Sequence, residues 1–521
     1  MLAPALLVLL TPAASAQEVA SGLVLGERLY VRLSESAPDL LARSVGLLGR
    51  RVAAATEGAV TAEVGEGRPQ IEVAVRDPRL PGSPLWDADQ SYELSVAATG
   101  VAIRAANPVG AAYGLAALAD ALHRDADEGW LLRAGRWEAA PDLPLRAVHL
   151  PRLPRDPSER KGWCERLASL RMNAVVIQDG IWWQLDQERE LAAARAALAD
   201  FRAYGIEPIP ELQSLGWAHS LLTLDPMCAE GAWVEREQMQ LTGQEPIALA
   251  RPNVLRTEAT DIAAEDAEGR PYVAGRDYEV LDGETRYPYR PEATPYRLRR
   301  LETGRIPDGA TVFVSYDYVS RVNAGSCPYC PSEPRVAARM TAAVRSTVCL
   351  LRPAAIHLGY GEPALLNVDR RCRSRSLSNA ELLTEDIGRL YTAAREGDAA
   401  VRVMLWADCL NPHQGGGSLA TVDALPRLPR DLVLGLRFLG PDQPDREGVA
   451  SLRYFGALGF ATTGSLWDDP ACAAGWARQC RAARLRGEEC LGVIYTGWGE
   501  RWQGLAGFAQ TAWSAPGVAG P

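Results

Sequence analysis

From about residue 145 onward, short apolar runs alternate with longer stretches in which apolar side chains recur every three or four positions. The short runs fall at 146–150, 174–178, 206–210, 355–359, 401–405, 432–436, 458–462 and 491–495. Being apolar at successive positions, they predict strands buried on both faces, as in a parallel sheet. The helical spacing recurs over 158–171, 188–204, 378–396 and 471–487, which predicts amphipathic helices between neighbouring strands. Eight strands with intervening helices predict an α/β fold, a (β/α)8 TIM barrel over 141–521.

The chain before residue 141 has a different texture. Residues 71–75 and 92–96 alternate apolar with polar, as half-buried strands do, and 110–122 is small and apolar enough for a helix packed on a sheet. A small α+β domain over 17–140 is the expectation, ended by Pro141-Asp142-Leu143-Pro144. Residues 1–16 are uncharged, apolar and finish in Ala14-Ser15-Ala16, so a signal peptide and an exported protein, periplasmic or extracellular, are expected. Between the third and fourth barrel strands lies more chain than a helix needs. Residues 246–332 carry strand-like 272–273, 277–280 and 311–319 between Gly and Pro turns, and predict a β-rich insertion on a barrel loop.

Composition narrows the function classes. With 521 residues, 47% hydrophobic and 23% charged, the chain can bury a large core, which excludes a disordered protein. Sixty-five acidic against fifty-five basic residues give −10 with no basic block, so nucleic acid is not an expected partner. Lys161 is the only lysine, which argues against Schiff-base chemistry. After the leader no apolar run reaches the ~18 residues of a membrane span, so none is expected in the mature chain. The ten cysteines include one close pair, Cys327-Pro-Tyr-Cys330. A zinc site would ask for a second pair, and Cys372 stands alone, so a disulfide or free thiols are expected ahead of zinc.

In a (β/α)8 barrel the active site gathers where the strands end. Gln178 and Asp179 follow the second strand, Glu211 the third, Glu362 the fourth, Trp406 and Asp408 the fifth, Trp467 and Asp468 the seventh, and Trp498 and Glu500 the eighth. Paired carboxylates suit cleavage of a glycosidic bond, one protonating the leaving oxygen while another stabilises positive charge on the sugar. Indole faces stack on the apolar faces of sugar rings. A carbohydrate is therefore the expected ligand. His357 has no second ligand at helical or hairpin spacing, so neither a metal nor a cofactor is expected, and its expected task is to orient a neighbouring carboxylate. His149, inside the first strand, reads as a core histidine, and no Gly-x-Ser-x-Gly elbow supports a serine hydrolase.

These residues resemble a known family. Residues 92–118, with Asn107-Pro-Val-Gly110 and Tyr113-Gly-Leu115, look like the small domain that precedes the barrel in family 20 glycoside hydrolases, the β-N-acetylhexosaminidases. Leu145-Arg146-Ala147 resembles that family's opening strand, whose arginine holds sugar hydroxyls, and Arg171-Met-Asn173 and Pro210-Glu211 resemble its approaches to the second strand and the end of the third. Ile356-His357-Leu-Gly359-Tyr-Gly361-Glu362 resembles its His-x-Gly-x-Asp-Glu, and Trp498-Gly499-Glu500 its Trp-Gly-Glu. The resemblance implies Glu362 as general acid, with Arg146, Glu211, His357, Trp467, Asp468, Trp498 and Glu500 around the sugar, and the strand-end positions add Asp179, Trp406 and Asp408.

The departures fall on one function. In the family the substrate's 2-acetamido oxygen attacks, oriented by an aspartate and a tyrosine; those positions are Gly361 and Asp468 here, and a Pro-Gly-His reads Leu215-Gly216-Trp217. The resemblance implies removal of a terminal N-acetylhexosamine-like sugar. The alternatives are a catalytically degenerate glycan-binding protein, or a glycosidase on a non-acetamido sugar that uses Asp468 or Asp179.

Overall fold

The structure is a computed structural model that describes residues 22–513 apart from 35–36, 69, 83, 287–291, 320–326, 364, 415–418 and 420, together with 517–518. The expected signal peptide, 1–16, lies outside the described residues. The chain divides into two compact units, one of residues 1–78, 91–139 and 516–521, the other of 79–90 and 140–515.

In the second unit eight parallel strands close into a barrel in chain order. They are Leu145–Leu150, Ala174–Gln178, Glu207–Glu211, Ala355–His357, Arg402–Trp406, Val433–Arg437, Ala461–Leu466 and Cys490–Thr496. Ala147, Val176, Ile209, Met404 and Ile494 pack together as part of the core, and the strands are buried almost throughout because helices cover their outer faces. The helices start where the chemistry of their first turn directs. Asp156, Glu333 and Asp469 each accept a backbone N–H and are followed at once by a proline, whose fixed φ suits the first helical position. Ser378 and Glu381 close a capping box on the helix Asn379–Gly397.

Two barrel strands differ from expectation. The seventh starts at Ala461, three residues after the predicted 458, and contains Thr462, Thr463 and Ser465, all buried. Its polar side chains conceal it from an apolar pattern. The fourth stops at His357 instead of 359, because Gly359 (φ 81°), Tyr360 (φ 69°) and Glu362 (φ 45°) take the left-handed conformation. Such a cluster is held only where surrounding contacts impose it, and it lies beneath the site described below.

Between the third and fourth barrel strands are two three-stranded antiparallel sheets. One joins Gly231–Leu241, Ala310–Val319 and Ala263–Glu265; the other joins Ile247–Ala248, Arg297–Arg300 and Tyr278–Leu281. Residues 272–273 form no strand, and Tyr272 donates one N–H to Ala264. Met239, Leu241, Leu298, Val312 and Tyr316 give these sheets a core of their own. The pairing opens with Gly231 opposite Val319.

The first unit holds a seven-stranded mixed sheet that includes Arg28–Arg32, Gln70–Val75, Tyr92–Ala97 and Gly100–Ala105. The buried helix Pro108–Leu118 follows, capped by Asn107, whose side chain accepts from Val109 and Gly110 N–H. It ends four residues before the expected 122. Among the described residues no helix is long and apolar enough to cross a membrane.

Candidate active site

At the carboxyl ends of the barrel strands lies a cavity of about 500 Å³. Four indoles wall it: Trp406, at the end of the fifth strand, and Trp217, Trp467 and Trp498 from loops. Glu211, Glu362 and Arg437 supply its charges.

Glu211 ends the third strand and is 2% exposed. Its Oε2 lies 2.8 Å from His149 Nε2, and its Oε1 accepts from Trp406 Nε1 at 2.9 Å. Burial pushes the carboxyl up, but His357 and His149, with these hydrogen bonds, outweigh it and hold the group down at about 2. Glu211 is thus a carboxylate at working pH. His357 lies with Nδ1 3.6 Å from Glu211 Oε1, and that nitrogen accepts the Gly359 N–H at 3.1 Å, which places the ring proton on Nε2. Burial holds His357 down at about 4, so it is neutral near pH 7. The His357 ring packs 4.5 Å from Trp406, and His149 packs 5.2 Å from Trp498, so the polar pair also steadies the indoles.

Glu362 is 57% exposed in its side chain, at the cavity edge. Its N–H donates to Asp408 Oδ2 at 2.9 Å, and its Oε1 lies 3.3 Å from Arg437 Nη2. Arg437, the last residue of the sixth strand, also donates through Nε to Asp408 Oδ1 at 3.0 Å and through Nη2 to Asp408 Oδ2. Burial works against its charge, but Asp408, Glu362 and Glu211 outweigh this and raise its pKa. Its guanidinium lies 5.2 and 5.6 Å from the Trp498 and Trp406 rings, within cation–π range. A Cβ on Gly361 would stand 3.2 Å from Arg437 Nη2, so the guanidinium borders the place where the family pattern has its aspartate.

The strained segment under Glu362 is braced. Tyr360 N–H donates to Ser214 Oγ at 3.0 Å, and Tyr360 and Tyr329 hydroxyls both donate to buried Asp386, at 2.7 and 2.5 Å. Gly216 (φ 102°) lies against it so closely that a Cβ would fall 2.0 Å from the Gly361 carbonyl oxygen.

Of the residues named from sequence, Gln178, Glu211, Trp217, Glu362, Trp406, Trp467 and Trp498 line the cavity; Asp408 and His357 stand behind them. The other four do not line it. Arg146 sits at the opening of the first strand, at the opposite end of the barrel, donating to the carbonyls of Arg171, Leu143 and Pro144 and to Gln90. Its donors are spent on the barrel floor. Asp179 accepts from Leu153 N, Ile181 N and Arg155, and Asp468 from Tyr495 and Gly504 N, so both carboxylates tie loops down. Glu500 lines a separate pocket of about 160 Å³ with Arg152 and Trp502. The sequence reading takes nothing from the sixth strand, although Arg437, the one charge in its apolar run, was a signal. Gln213 of the cavity wall also escaped it. The ten cysteines form no disulfide, Cys327 and Cys330 included, and Cys330 Sγ lies 3.4 Å from Cys372 Sγ.

The eight-stranded parallel barrel and the additional α+β unit are similar in fold to solved structures of family 20 glycoside hydrolases. Particular structures alike in fold are a chitobiase of Flavobacterium johnsoniae (TM-score 0.61, 16% identity, 96% of this chain and 68% of that one) and a family 20 exo-β-N-acetylglucosaminidase of Vibrio harveyi (0.57, 12%, 96% and 72%). A family 20 β-N-acetylhexosaminidase of Streptomyces coelicolor is a third (0.53, 14%, 95% and 89%). No protein-family model matches the chain, and no curated protein matches it by sequence.

Proposed function

We propose that the protein is a glycoside hydrolase of the family 20 type, removing a terminal N-acetylhexosamine-like sugar in the indole-walled cavity, with Glu362 as general acid. The observation that carries this reading is the placing of Glu362 at the edge of a cavity whose floor is the buried carboxylate Glu211 and whose walls are four tryptophans. A sugar ring stacked on an indole would turn its glycosidic oxygen to the open edge, where Glu362 can hand over a proton. Glu211, already charged and fixed by His149 and Trp406, supplies negative charge without reorganising, which favours a positively charged sugar in the transition state. Asp179 and Asp468 are committed to loop backbone, which speaks against either as nucleophile.

A second reading, sugar binding without cleavage, is favoured by Gly361 and the guanidinium beside it. The deciding experiment measures release of aryl leaving groups from sugars with and without a 2-acetamido group, by wild type and Glu362→Gln. Turnover on the acetamido sugars that falls ~10²–10⁴-fold in the variant supports the hydrolase. Saturable sugar binding with no turnover on any sugar establishes the binder instead.

A further inference from the structure

Away from the cavity, Glu230, Cys330, Asp369 and Cys372 bring one donor atom each to within 4.8 Å of one another. All four residues are at most 2% exposed. They come from three separate stretches: the start of the antiparallel insertion, its exit, and the loop that follows Glu362. We propose that these four side chains bind a structural zinc ion that staples both ends of the insertion to the loop carrying Glu362.

Three of the six donor separations fall in the range of a tetrahedral ion, and all six lie within 4.8 Å. Cys330 Sγ lies 3.4 Å from Cys372 Sγ and 3.6 Å from Asp369 Oδ1, and Cys372 Sγ lies 3.6 Å from Glu230 Oε2. Zinc bonds of ~2.3 Å to sulfur and ~2.0–2.2 Å to oxygen give tetrahedron edges of about 3.3–3.8 Å. Each carboxylate is also oriented from behind, as metal-binding carboxylates are. Glu230 Oε1 accepts from the Val368 and Asp369 N–H groups, at 2.7 and 3.2 Å, leaving Oε2 towards the thiols. Asp369 Oδ2 accepts from Arg371 and from Gly231 N–H, while Oδ1, which also accepts the Cys372 N–H at 3.2 Å, lies towards Cys330. Arg371 bonds to Asp369, Glu333 and the backbone and acts electrostatically on Cys330, while among the described residues Glu230 forms no ion pair. A buried carboxylate beside two thiols asks for a positive charge, and two sulfur ligands select zinc over calcium or magnesium. Four protein ligands close the site, which makes it structural.

The test is metal content by plasma mass spectrometry on the full chain, refolded or expressed with zinc, beside Cys372→Ser and Glu230→Gln. About one zinc per wild-type chain, lost in Cys372→Ser, is the expected result. A chelator should lower the wild-type melting midpoint by about 3 °C or more. Should Cys372→Ser fail to fold, cobalt(II) substitution of wild type decides, since thiolate-to-cobalt charge-transfer absorption appears only if cysteines bind the ion. A zinc-free wild type, zinc retained in Cys372→Ser, cobalt without that absorption, or a Cys330–Cys372 disulfide in non-reduced peptides would each overturn the proposal.

Discussion

Arg437 borders the space beside Gly361, and its neighbours define what substitutions do. Both Arg437 and Asp408 have side chains at most 7% exposed, so Arg437→Met leaves a buried carboxylate without its cation. The expected cost is about 3–5 kcal/mol, and Asp408→Asn in the same chain should recover much of it. Urea unfolding of the two single variants and the double variant checks this; a cost that simply adds would show the pair to be uncoupled. The same guanidinium limits the repair of Gly361. Its backbone accepts a side chain, but the new carboxylate of Gly361→Asp would meet Arg437 before any sugar. We expect Gly361→Asp alone to raise kcat/KM on an aryl N-acetylhexosaminide by less than about tenfold, short of the ~10²–10³ that one preorganised stabiliser supplies. A larger gain would mean that Arg437 yields the space.

Among the elements, the segment after the fourth strand has the most demanding geometry. It runs through three left-handed residues between 359 and 362, and it fits only because Gly216 lacks a side chain where the Gly361 carbonyl passes. Gly216→Ala therefore strains its own backbone and displaces the segment that carries Glu362. The expected result is a kcat loss of ~10²-fold or more from misplacement of the acid, with the sugar affinity of the indole walls less affected. Steady-state kinetics beside sugar binding separate the two effects; equal losses in both would place the damage in the cavity as a whole.

For the molecule as a whole, the buried acid–histidine floor couples the site to pH. Unfolded, His357 titrates near 6.5 and Glu211 near 4.5; folded, they sit at about 4 and about 2. Both folded values are depressed, so each group's contribution is complete above its unfolded value and is lost as pH falls towards the folded one. Stability should decline from about pH 6.5 downward, first through His357 and then through Glu211. Urea midpoints measured from pH 7 to 4 check this, and His357→Gln should flatten the upper part of the decline. An unchanged slope in the variant would place the titration elsewhere.

The barrel was legible because parallel strands covered on both faces must be apolar at consecutive positions, a pattern few loops share. The seventh strand, with its buried threonines, slipped by three residues, and the fourth ran two residues short of its apolar run. The site was legible in part. Glu211, Glu362 and the indoles could be placed because ending a strand puts a residue at the barrel mouth. Asp179 and Asp468 also follow strands, but whether a carboxylate faces the cavity or a backbone N–H depends on loop geometry that spacing does not encode. Arg146 failed for a related reason: its motif fixes its place in the strand, while its partners Gln90 and Arg171 come from distant sequence.

The insertion meets the barrel as a hairpin, with Gly231 paired to Val319 at its base. To the folding barrel, the long excursion from the third strand to the fourth is then no longer than its closed neck, because closure entropy rises only with the logarithm of loop length. Once that neck zips, the barrel can complete itself without waiting for the sheets beyond. Lineages could lengthen, trim or exchange those sheets at small cost to the barrel, so the region between 231 and 319 is where relatives of this chain should diverge most in length.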